Sequence, residues 1–184
     1  ENSDDNQKKD LSIIREKLDH LDQIAGRILD FGKSREAFRK NLPLREILEE
    51  AALLVRLKLE QSQVALNINK GLPDLLVFVD KGQIQQALLN LILNALVAMP
   101  DGGELTIEVM EPTDRKVSVL VKDTGQGIPD AFKDRIFDSF LTARSDGTGL
   151  GLTISKRILR AHDGDLELLD SGPNGTVFRI SLPI

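Results

Sequence analysis

A chain of 184 residues is close to the size of one domain with a short extension, and its composition, 41% hydrophobic and 29% charged, is ordinary for a soluble globular protein. The net charge of -5 is spread along the chain without a basic stripe, which argues against nucleic acid as the main partner. The absence of cysteine excludes disulfides, zinc clusters and thiol catalysis, and no apolar run approaches the roughly 20 residues of a membrane span.

The N-terminal part of the chain predicts a polar terminus followed by one long helix. The sequence begins at Glu1 with neither an initiator methionine nor a signal-peptide pattern, so we interpret it as a piece of a longer protein. From Leu11 to Gly32, apolar or small residues recur at alternating steps of three and four, which is a heptad seam. The seam predicts dimerisation through this helix. The alternative is an amphipathic helix that packs on its own domain.

A second domain is predicted to follow, so that residues 1–35 form the extension and residues 36–184 the main domain. Residues 34–43 are a polar break, and the later elements come from helical periodicity, strand alternation and turn residues. In chain order they are a helix over 43–63, strands at 64–68 and 75–79 around a turn at 71–73, a helix over 83–99, strands at 104–110 and 116–123, helices over 131–137 and 150–161, and a hairpin of 166–170 with 176–182 that turns at 172–175. The sum is an α+β fold, a two-layer sandwich with helices on one face of a mixed, mainly antiparallel sheet.

Two asparagines interrupt the apolar helix predicted over residues 83–99. Asn90 and Asn94 are four residues apart, so both amides project from one face, one helical turn apart. An unpartnered buried amide costs roughly 1 to 3 kcal/mol, so an apolar helix is expected to carry two only where something satisfies them. A Mg²⁺ ion with phosphates would do so, because an amide oxygen is a neutral hard ligand. The alternative is that both asparagines hydrogen-bond to neighbouring backbone.

The strand predicted at residues 116–123 ends in an Asp-Thr-Gly-Gln-Gly loop. An ionised carboxylate only accepts hydrogen bonds, so Asp123 on the floor of a flat pocket would accept from an exocyclic amine, as adenine offers. Gly125 and Gly127 would let the backbone come close to a ring or a sugar. The alternative is a plain turn, since Asp and Gly are the commonest turn residues.

Three glycines, Gly147, Gly149 and Gly151, lead directly into the helix predicted over residues 150–161. The unpaired N–H groups and the dipole at a helix N-terminus both favour phosphate. Spacing excludes two rival phosphate motifs, because the dinucleotide fingerprint would need glycine at Leu152 and the P-loop would need Gly-Lys at Leu152 and Thr153.

The polar stretch before these glycines, residues 138–146, predicts a mobile lid over a nucleotide. Phe137 and Phe140 would anchor such a lid. The alternative is that both phenylalanines are ordinary core residues.

The order of these motifs, LLNLILNAL, DTGQGI, FDSF, GTGLGL and NGTVFRISLP, resembles that of sensor histidine kinases in the GHKL ATPase superfamily. The resemblance covers Asp80 to the end, and around FDSFLTAR and GTGLGL it is closest to the nitrogen-regulation type, whose lid is short. It implies the Bergerat ATP-binding fold, ATP and Mg²⁺ as ligands, and a place in two-component signal transduction.

The resemblance also implies roles for individual residues. Asn94 would ligate Mg²⁺, Asn90 would support the phosphates, Asp123 would bind the adenine amine, and Arg144 would approach the terminal phosphate, although similar kinases often carry lysine there. Asn90 and Arg144 are the expected catalytic residues. The expected nucleotide-binding residues are Asn90, Asn94, Asp123, Gly125, Gly127, Ile128, Phe140, Gly147, Thr148, Gly149, Leu150, Gly151, Leu152 and Thr176, with Gly175 beside the last.

The same resemblance favours phosphoryl transfer over hydrolysis. Hydrolysing relatives place a glutamate one turn before the magnesium asparagine, where it activates water, and here that position is Asn90. The acceptor in the family is a histidine followed by an acid and, a turn later, often a proline. His20 lacks this context and is interpreted as a solvated helix residue, and His162, at a helix end beside Asp163-Gly164, as structural.

The residues from Leu11 to Lys33 therefore resemble the second helix of the family's dimerisation hairpin, with the acceptor helix upstream of Glu1. The implied partners are that acceptor helix, a response regulator receiver domain and a second copy of the chain. The implied location is the cytoplasm, although the parent protein could be attached to a membrane. The alternative functions are a GHKL-type ATPase, a serine kinase, and a nucleotide-sensing scaffold without transfer.

Overall fold

A computed structural model describes residues 37–69, 75–142 and 148–184. The chain divides after Glu36, and every described residue lies in the unit Ala37–Ile184. Several sequence predictions fall outside the described residues: the heptad helix from Leu11 to Gly32 with His20, the turn at residues 71–73, residues 143–146 of the predicted lid, and the site residues Arg144 and Gly147.

Five of the seven described strands form one mixed sheet in the spatial order β2-β4-β5-β7-β6, and β1 pairs with β3 in a separate two-stranded sheet. Within the larger sheet β2 and β4 are parallel, and the other neighbours are antiparallel. The elements are β1 (Lys40–Pro43), α1 (Leu44–Gln61), β2 (Val64–Ile68), β3 (Leu76–Val79), α2 (Lys81–Ala98), β4 (Gly103–Val109), β5 (Lys116–Asp123), α3 (Asp130–Lys133), α4 (Gly151–Arg160), β6 (Asp165–Gly172) and β7 (Gly175–Pro183).

The core lies between one face of this sheet and the three longer helices. Alternate residues of β5 and β7 are buried, so each strand presents an apolar row to the helices. Helix α2 packs between α1 and α4, and it is buried along most of its length. This arrangement confirms the predicted α+β sandwich. None of the helices in the described ranges combines the length and the apolar character that crossing a membrane requires.

Two local predictions were wrong. The polar break over residues 34–43 contains strand β1, whose pairing with β3 begins at Lys40 opposite Val79. The helix predicted over residues 131–137 shrinks to α3, followed by turns. Only Ile136 of that stretch is buried, and so short a helix needs an apolar face packed on the core to extend further.

His162 joins the end of α4 to the start of α2, as its structural interpretation predicts. The ring is fully buried, its Nδ1 lies 2.8 Å from the carbonyl oxygen of Ile158, and its Nε2 accepts from the N–H of Asp80 at 3.1 Å. Because a backbone N–H only donates, Nε2 is the acceptor and Nδ1 carries the proton. Asp80 in turn caps α2 through the N–H of Gln83 and accepts from the N–H of Phe38.

We expect His162→Ala to lower the free energy of unfolding by about 2 to 4 kcal/mol, because it leaves a cavity and an unpaired, partly buried N–H at Asp80. Urea denaturation monitored by circular dichroism measures the change. Arg160→Ala, at an exposed position of the same helix, is the control and is expected to cost less than about 0.5 kcal/mol. Equal costs for the two variants would contradict a structural role for the imidazole.

Candidate functional site

Asn90 is half-buried on α2 and faces the first turn of α4. Its Nδ2 donates to the carbonyl oxygen of Gly151 and to Oγ of Ser155, both at 3.2 Å. Because a carbonyl oxygen only accepts, these contacts fix which end of the amide faces α4 and leave Oδ1 as the free acceptor. The alternative that Asn90 bonds to backbone is therefore correct for its nitrogen. Within the described residues Oδ1 has no hydrogen bond.

Asn94 lies one turn further along α2 and is exposed to solvent. The sequence argument treats both amides as buried, which is wrong for Asn94, and water satisfies an exposed amide at little cost. Its exposure leaves the side chain available to a ligand above α2. A metal role for Asn94 stays a prediction.

Asp123 ends β5 and is partly buried against the β6–β7 hairpin. Its Oδ1 accepts from the N–H of Gly125 at 2.9 Å and from the N–H of Thr176 at 3.2 Å. Burial raises the pKa of this carboxyl above its ordinary value, and the two N–H groups partly oppose that rise. Within the described residues Oδ2 has no hydrogen-bond partner, so the carboxylate keeps one acceptor for a ligand.

The loop after Asp123 is held between the end of α2 and the β6–β7 hairpin. The N–H of Gln126 donates to the carbonyl oxygen of Ala98 at 3.0 Å, and the N–H of Ile128 donates to Oγ of Ser171 at 2.8 Å. Gly127 has a φ of +73°, and a Cβ there would overlap the carbonyl oxygen of Gly172. The plain-turn alternative does not account for these long-range contacts, since an isolated turn needs none of them.

The glycine-rich segment meets the end of the FDSF motif where α4 begins. Gly149 has a φ of +64°, and a Cβ there would lie 2.5 Å from the carbonyl carbon of Phe140 and 2.6 Å from the nitrogen of Leu141. The N–H of Phe140 donates to the carbonyl oxygen of Gly149 at 3.1 Å. Leu150 then fills the core beneath the first turn of α4. The backbone is therefore held tightly at the end of α4 where N–H groups point outward.

The two phenylalanines before this segment have different environments. Phe140 is 65% exposed and has a φ of +65°, so the core alternative is wrong for this residue. Phe137 is half-buried, and the ammonium of Lys156 lies 4.1 Å from its ring centroid. Phe137 is thus anchored to α4, whereas Phe140 exposes an aromatic ring beside Gly149.

Helix α2 connects the two groups of predicted residues. Asn90 contacts the start of α4, and Ala98, eight residues later, contacts the loop that follows Asp123. Eight helical residues span about 12 Å, with Asn94 halfway. A ligand that reaches from Asp123 to the start of α4 would therefore lie along one side of α2.

The remaining predicted site residues take positions around these contacts. Thr176 is buried opposite Asp123 on β7, while Ile128, Thr148 and Leu152 are half-buried.

Two buried serines, Ser155 and Ser171, were not predicted, although each hydrogen-bonds to a predicted residue. Ser171 was within reach of sequence reasoning, because a two-residue turn at Pro173-Asn174 places it opposite Thr176.

Residues 79–184, more than half of the chain, match the family described as histidine kinase-, DNA gyrase B- and HSP90-like ATPase. Over 176 residues the chain is 30% identical to the signal transduction histidine-protein kinase AtoS of Escherichia coli (strain K12), an alignment that covers 95% of this chain and 29% of AtoS. The chain thus spans less than a third of that relative.

Two solved structures have similar folds. Histidine kinase ThkA in complex with the response regulator protein TrrA is 31% identical with a TM-score of 0.78, over 93% of this chain and 49% of that one. Full-length ShkA in complex with AMPPNP is 26% identical with a TM-score of 0.80, over 97% of this chain and 39% of that one.

Proposed function

Because this chain belongs to the histidine kinase-, DNA gyrase B- and HSP90-like ATPases, and among them to the sensor histidine kinases, we propose that it binds Mg-ATP and donates the γ-phosphoryl group to a histidine. The observation that carries the proposal is the arrangement along α2. A carboxylate acceptor lies near one end, the N-terminus of α4 lies two turns away, and an exposed amide lies between them. These are the groups that adenine, phosphates and a hard cation require.

The base end of the proposed site is centred on Asp123. Its Oδ2 accepts the exocyclic amine of adenine, while Oδ1 remains on the N–H groups of Gly125 and Thr176. A fixed acceptor of this kind favours adenine over guanine, which presents a carbonyl at the corresponding position. Gly127, Ile128 and Thr176 complete this end of the proposed site.

The phosphate end of the proposed site is the first turn of α4. Unpaired N–H groups and the helix dipole favour anions there, and the close crossing of Gly149 with Phe140 holds the segment in place. We assign phosphate contacts to Gly147, Thr148, Gly149, Leu150, Gly151 and Leu152, with Phe140 beside them and Arg144 at the terminal phosphate.

We assign Mg²⁺ to Asn94. The fit rests on its exposed amide oxygen, a hard neutral ligand, and on its position between the base and phosphate ends of α2. When bound with ATP, the ion neutralises charge on the phosphate oxygens. Asn90, one turn earlier, contacts the first turn of α4 through Nδ2, and its Oδ1 has no hydrogen bond among the described residues.

The chemistry of Asn90 favours transfer over hydrolysis. An amide is not a base, because its nitrogen lone pair is delocalised into the carbonyl, so Asn90 cannot take a proton from attacking water. His162 cannot receive the phosphoryl group, since it is fully buried with both ring nitrogens engaged. We propose that the acceptor is a histidine on another helix of the parent kinase, with residues 1–35 carrying the second helix of its dimerisation hairpin.

The proposed partners follow from phosphoryl transfer. A histidine kinase passes its phosphoryl group to a receiver domain, and the similar kinase ThkA is seen in complex with the response regulator TrrA. We therefore propose a response regulator as the downstream partner and a second copy of the chain as the dimer partner. We also propose a cytoplasmic location for the reaction, because ATP is the phosphoryl donor.

Incubation with γ-labelled ATP and Mg²⁺ tests the reaction. We expect acid-labile label on an added two-helix acceptor domain whose histidine is followed by an acid, and none on this chain. Release of inorganic phosphate alone would favour an ATPase, and acid-stable label would favour a serine kinase. Acid-labile label on His20 would overturn the assignment of the acceptor to another helix.

A control addresses the scaffold alternative. Calorimetry establishes that ATP binds, and the acceptor domain is tested in parallel with its own kinase to show that it accepts phosphate. Binding of ATP with no transfer to that active acceptor would favour a nucleotide-sensing scaffold.

A further inference from the structure

Ser171 lies between the loop that follows Asp123 and Thr176. The proposed function assigns it no contact with the nucleotide. It is the residue opposite Thr176 in the β6–β7 hairpin, and the two side chains are 7% and 3% exposed. Its Oγ accepts from the N–H of Ile128 at 2.8 Å and lies 3.2 Å from Oγ1 of Thr176. The hydroxyl therefore joins the loop to the strand that carries Thr176.

Only one hydrogen bond joins the two hydroxyl groups, so one of their two protons is left without an acceptor among the described residues. A backbone N–H only donates, so Ser171 accepts from Ile128 and shares one further hydrogen bond with Thr176. If Thr176 donates, the proton of Ser171 has no acceptor among the described residues. If Ser171 donates, the proton of Thr176 has none. A buried hydroxyl proton without an acceptor is costly, so an acceptor supplied by a ligand would stabilise this pair.

A base held at Asp123 would offer such an acceptor to Thr176, the nearer of the two hydroxyl groups along the chain to that contact. The backbone N–H of Thr176 already donates to Asp123, so Thr176 adjoins the carboxylate that takes the amine of adenine in the proposed function. Adenine carries an acceptor nitrogen on each side of its amine, N1 on one edge and N7 on the other. A bound adenine would therefore select the arrangement in which Ser171 donates to Thr176 and Thr176 donates to the base.

We propose that Ser171 is a positioning residue for base recognition, which orients the Thr176 hydroxyl as a donor to a ring nitrogen of adenine beside the amine held by Asp123. This inference rests on the proposed ATP binding and extends it to specificity. The site would then read two neighbouring groups of adenine, one donor and one acceptor. The N1 edge of guanine reverses both of them, which would leave two buried groups unpaired.

Ser171→Ala tests the proposal through nucleotide analogues and not through affinity alone. We compare the dissociation constants of ATP, 1-deaza-ATP and 7-deaza-ATP for the unmodified chain and for the variant by calorimetry. For the unmodified chain we expect one deaza analogue to bind about threefold to tenfold more weakly than ATP, which identifies the ring nitrogen. Ser171→Ala should weaken the binding of ATP by a similar factor and leave the affinity for that analogue unchanged.

Two further variants separate orientation from structure. Ser171→Thr keeps a hydroxyl and is expected to restore the preference for ATP over the analogue. Ser155→Ala removes another buried hydroxyl, which lies at the phosphate end of the proposed site. This variant should weaken the binding of ATP and of both analogues by the same factor.

The outcomes distinguish this inference from the proposed function. If Ser171→Ala weakens ATP and both deaza analogues equally, its role is structural and the inference is overturned. If ATP binds tightly and neither deaza substitution matters, Thr176 does not donate to the ring and the inference also fails. If the unmodified chain does not bind ATP at all, the proposed function itself is wrong.

Discussion

Asp123→Asn should lower the affinity for ATP at least about 100-fold and leave the chain folded. The asparagine Oδ1 can still accept from the N–H groups of Gly125 and Thr176, so the local backbone keeps its partners. The position of Oδ2 is then taken by an NH₂ group, which faces the amine of adenine with a donor. A charge-assisted hydrogen bond is lost, and two donors face each other in a buried position. Together these changes should cost about 3 to 5 kcal/mol of binding free energy.

Calorimetry with ATP measures this loss, and thermal unfolding without nucleotide shows that the fold persists. Asp101→Asn, an exposed turn residue with the same change of charge, is the matched control and should bind ATP as the unmodified chain does. Unchanged affinity in Asp123→Asn would remove this carboxylate from the proposed adenine contact.

The pH dependence of binding follows from the same carboxylate. Burial raises the pKa of Asp123, and only the ionised form accepts from the amine without competition. Affinity should therefore fall as the pH is lowered through this raised pKa, at higher pH than an ordinary aspartate would give. Adenosine is the suitable ligand for this measurement, because it has no titrating phosphate.

The contribution of Asp123 to the free energy of unfolding should change with pH in the opposite direction to the ligand affinity. A carboxyl whose folded-state pKa is raised above its unfolded-state value destabilises the fold above that raised pKa, and the cost disappears as the pH falls. Asp123→Asn removes this cost at neutral pH. The variant is therefore expected to unfold at the same temperature as the unmodified chain or a higher one.

Much of the fold was predictable because local patterns and tertiary burial agree. The alternating valines of β5 face the helices, and the turn at Pro173-Asn174 aligns β6 with β7. Strand β1 was not predictable, because its four residues start with Lys and Asn and it forms only by pairing with β3, more than thirty residues later. The shortened α3 has a similar cause, since packing and not local propensity decides the extent of a short helix.

The local structure of the candidate site was predictable for residues that belong to a sequence motif. It was not predictable for the serines that hydrogen-bond to those residues. The elements that carry Asp123, Asn90 and Gly149 were predictable, namely the end of β5, the middle of α2 and the glycine-rich segment before α4, whereas their roles in binding stay predictions. Ser155 bonds to a residue 65 positions away, and Ser171 to a loop 43 positions away, so only the packed structure reveals these contacts. The exposure of Asn94 was missed for a related reason, because periodicity does not show which face of an apolar helix remains uncovered.

Asn94→Ala should reduce the rate of phosphoryl transfer at least about 100-fold, with little change in the free energy of unfolding because the side chain is exposed. An exposed helix position tolerates alanine to within about 0.5 kcal/mol, and alanine has a higher helix propensity than asparagine. The expected loss comes from the amide oxygen that we assign to Mg²⁺, since a catalytic metal contributes several kcal/mol to stabilisation of transition-state charge.

Binding of ADP with and without Mg²⁺ separates a metal role from a direct contact to the nucleotide. The unmodified chain should bind ADP more tightly with Mg²⁺, and Asn94→Ala should lose most of that gain while it keeps its affinity for ADP in EDTA. Val97→Ala, a partly exposed position on the same helix, is the control and should keep both the transfer rate and the Mg²⁺ effect. If Asn94→Ala keeps the full Mg²⁺ effect on ADP, the ion is held by other groups, and Asn94 has no part in the metal site.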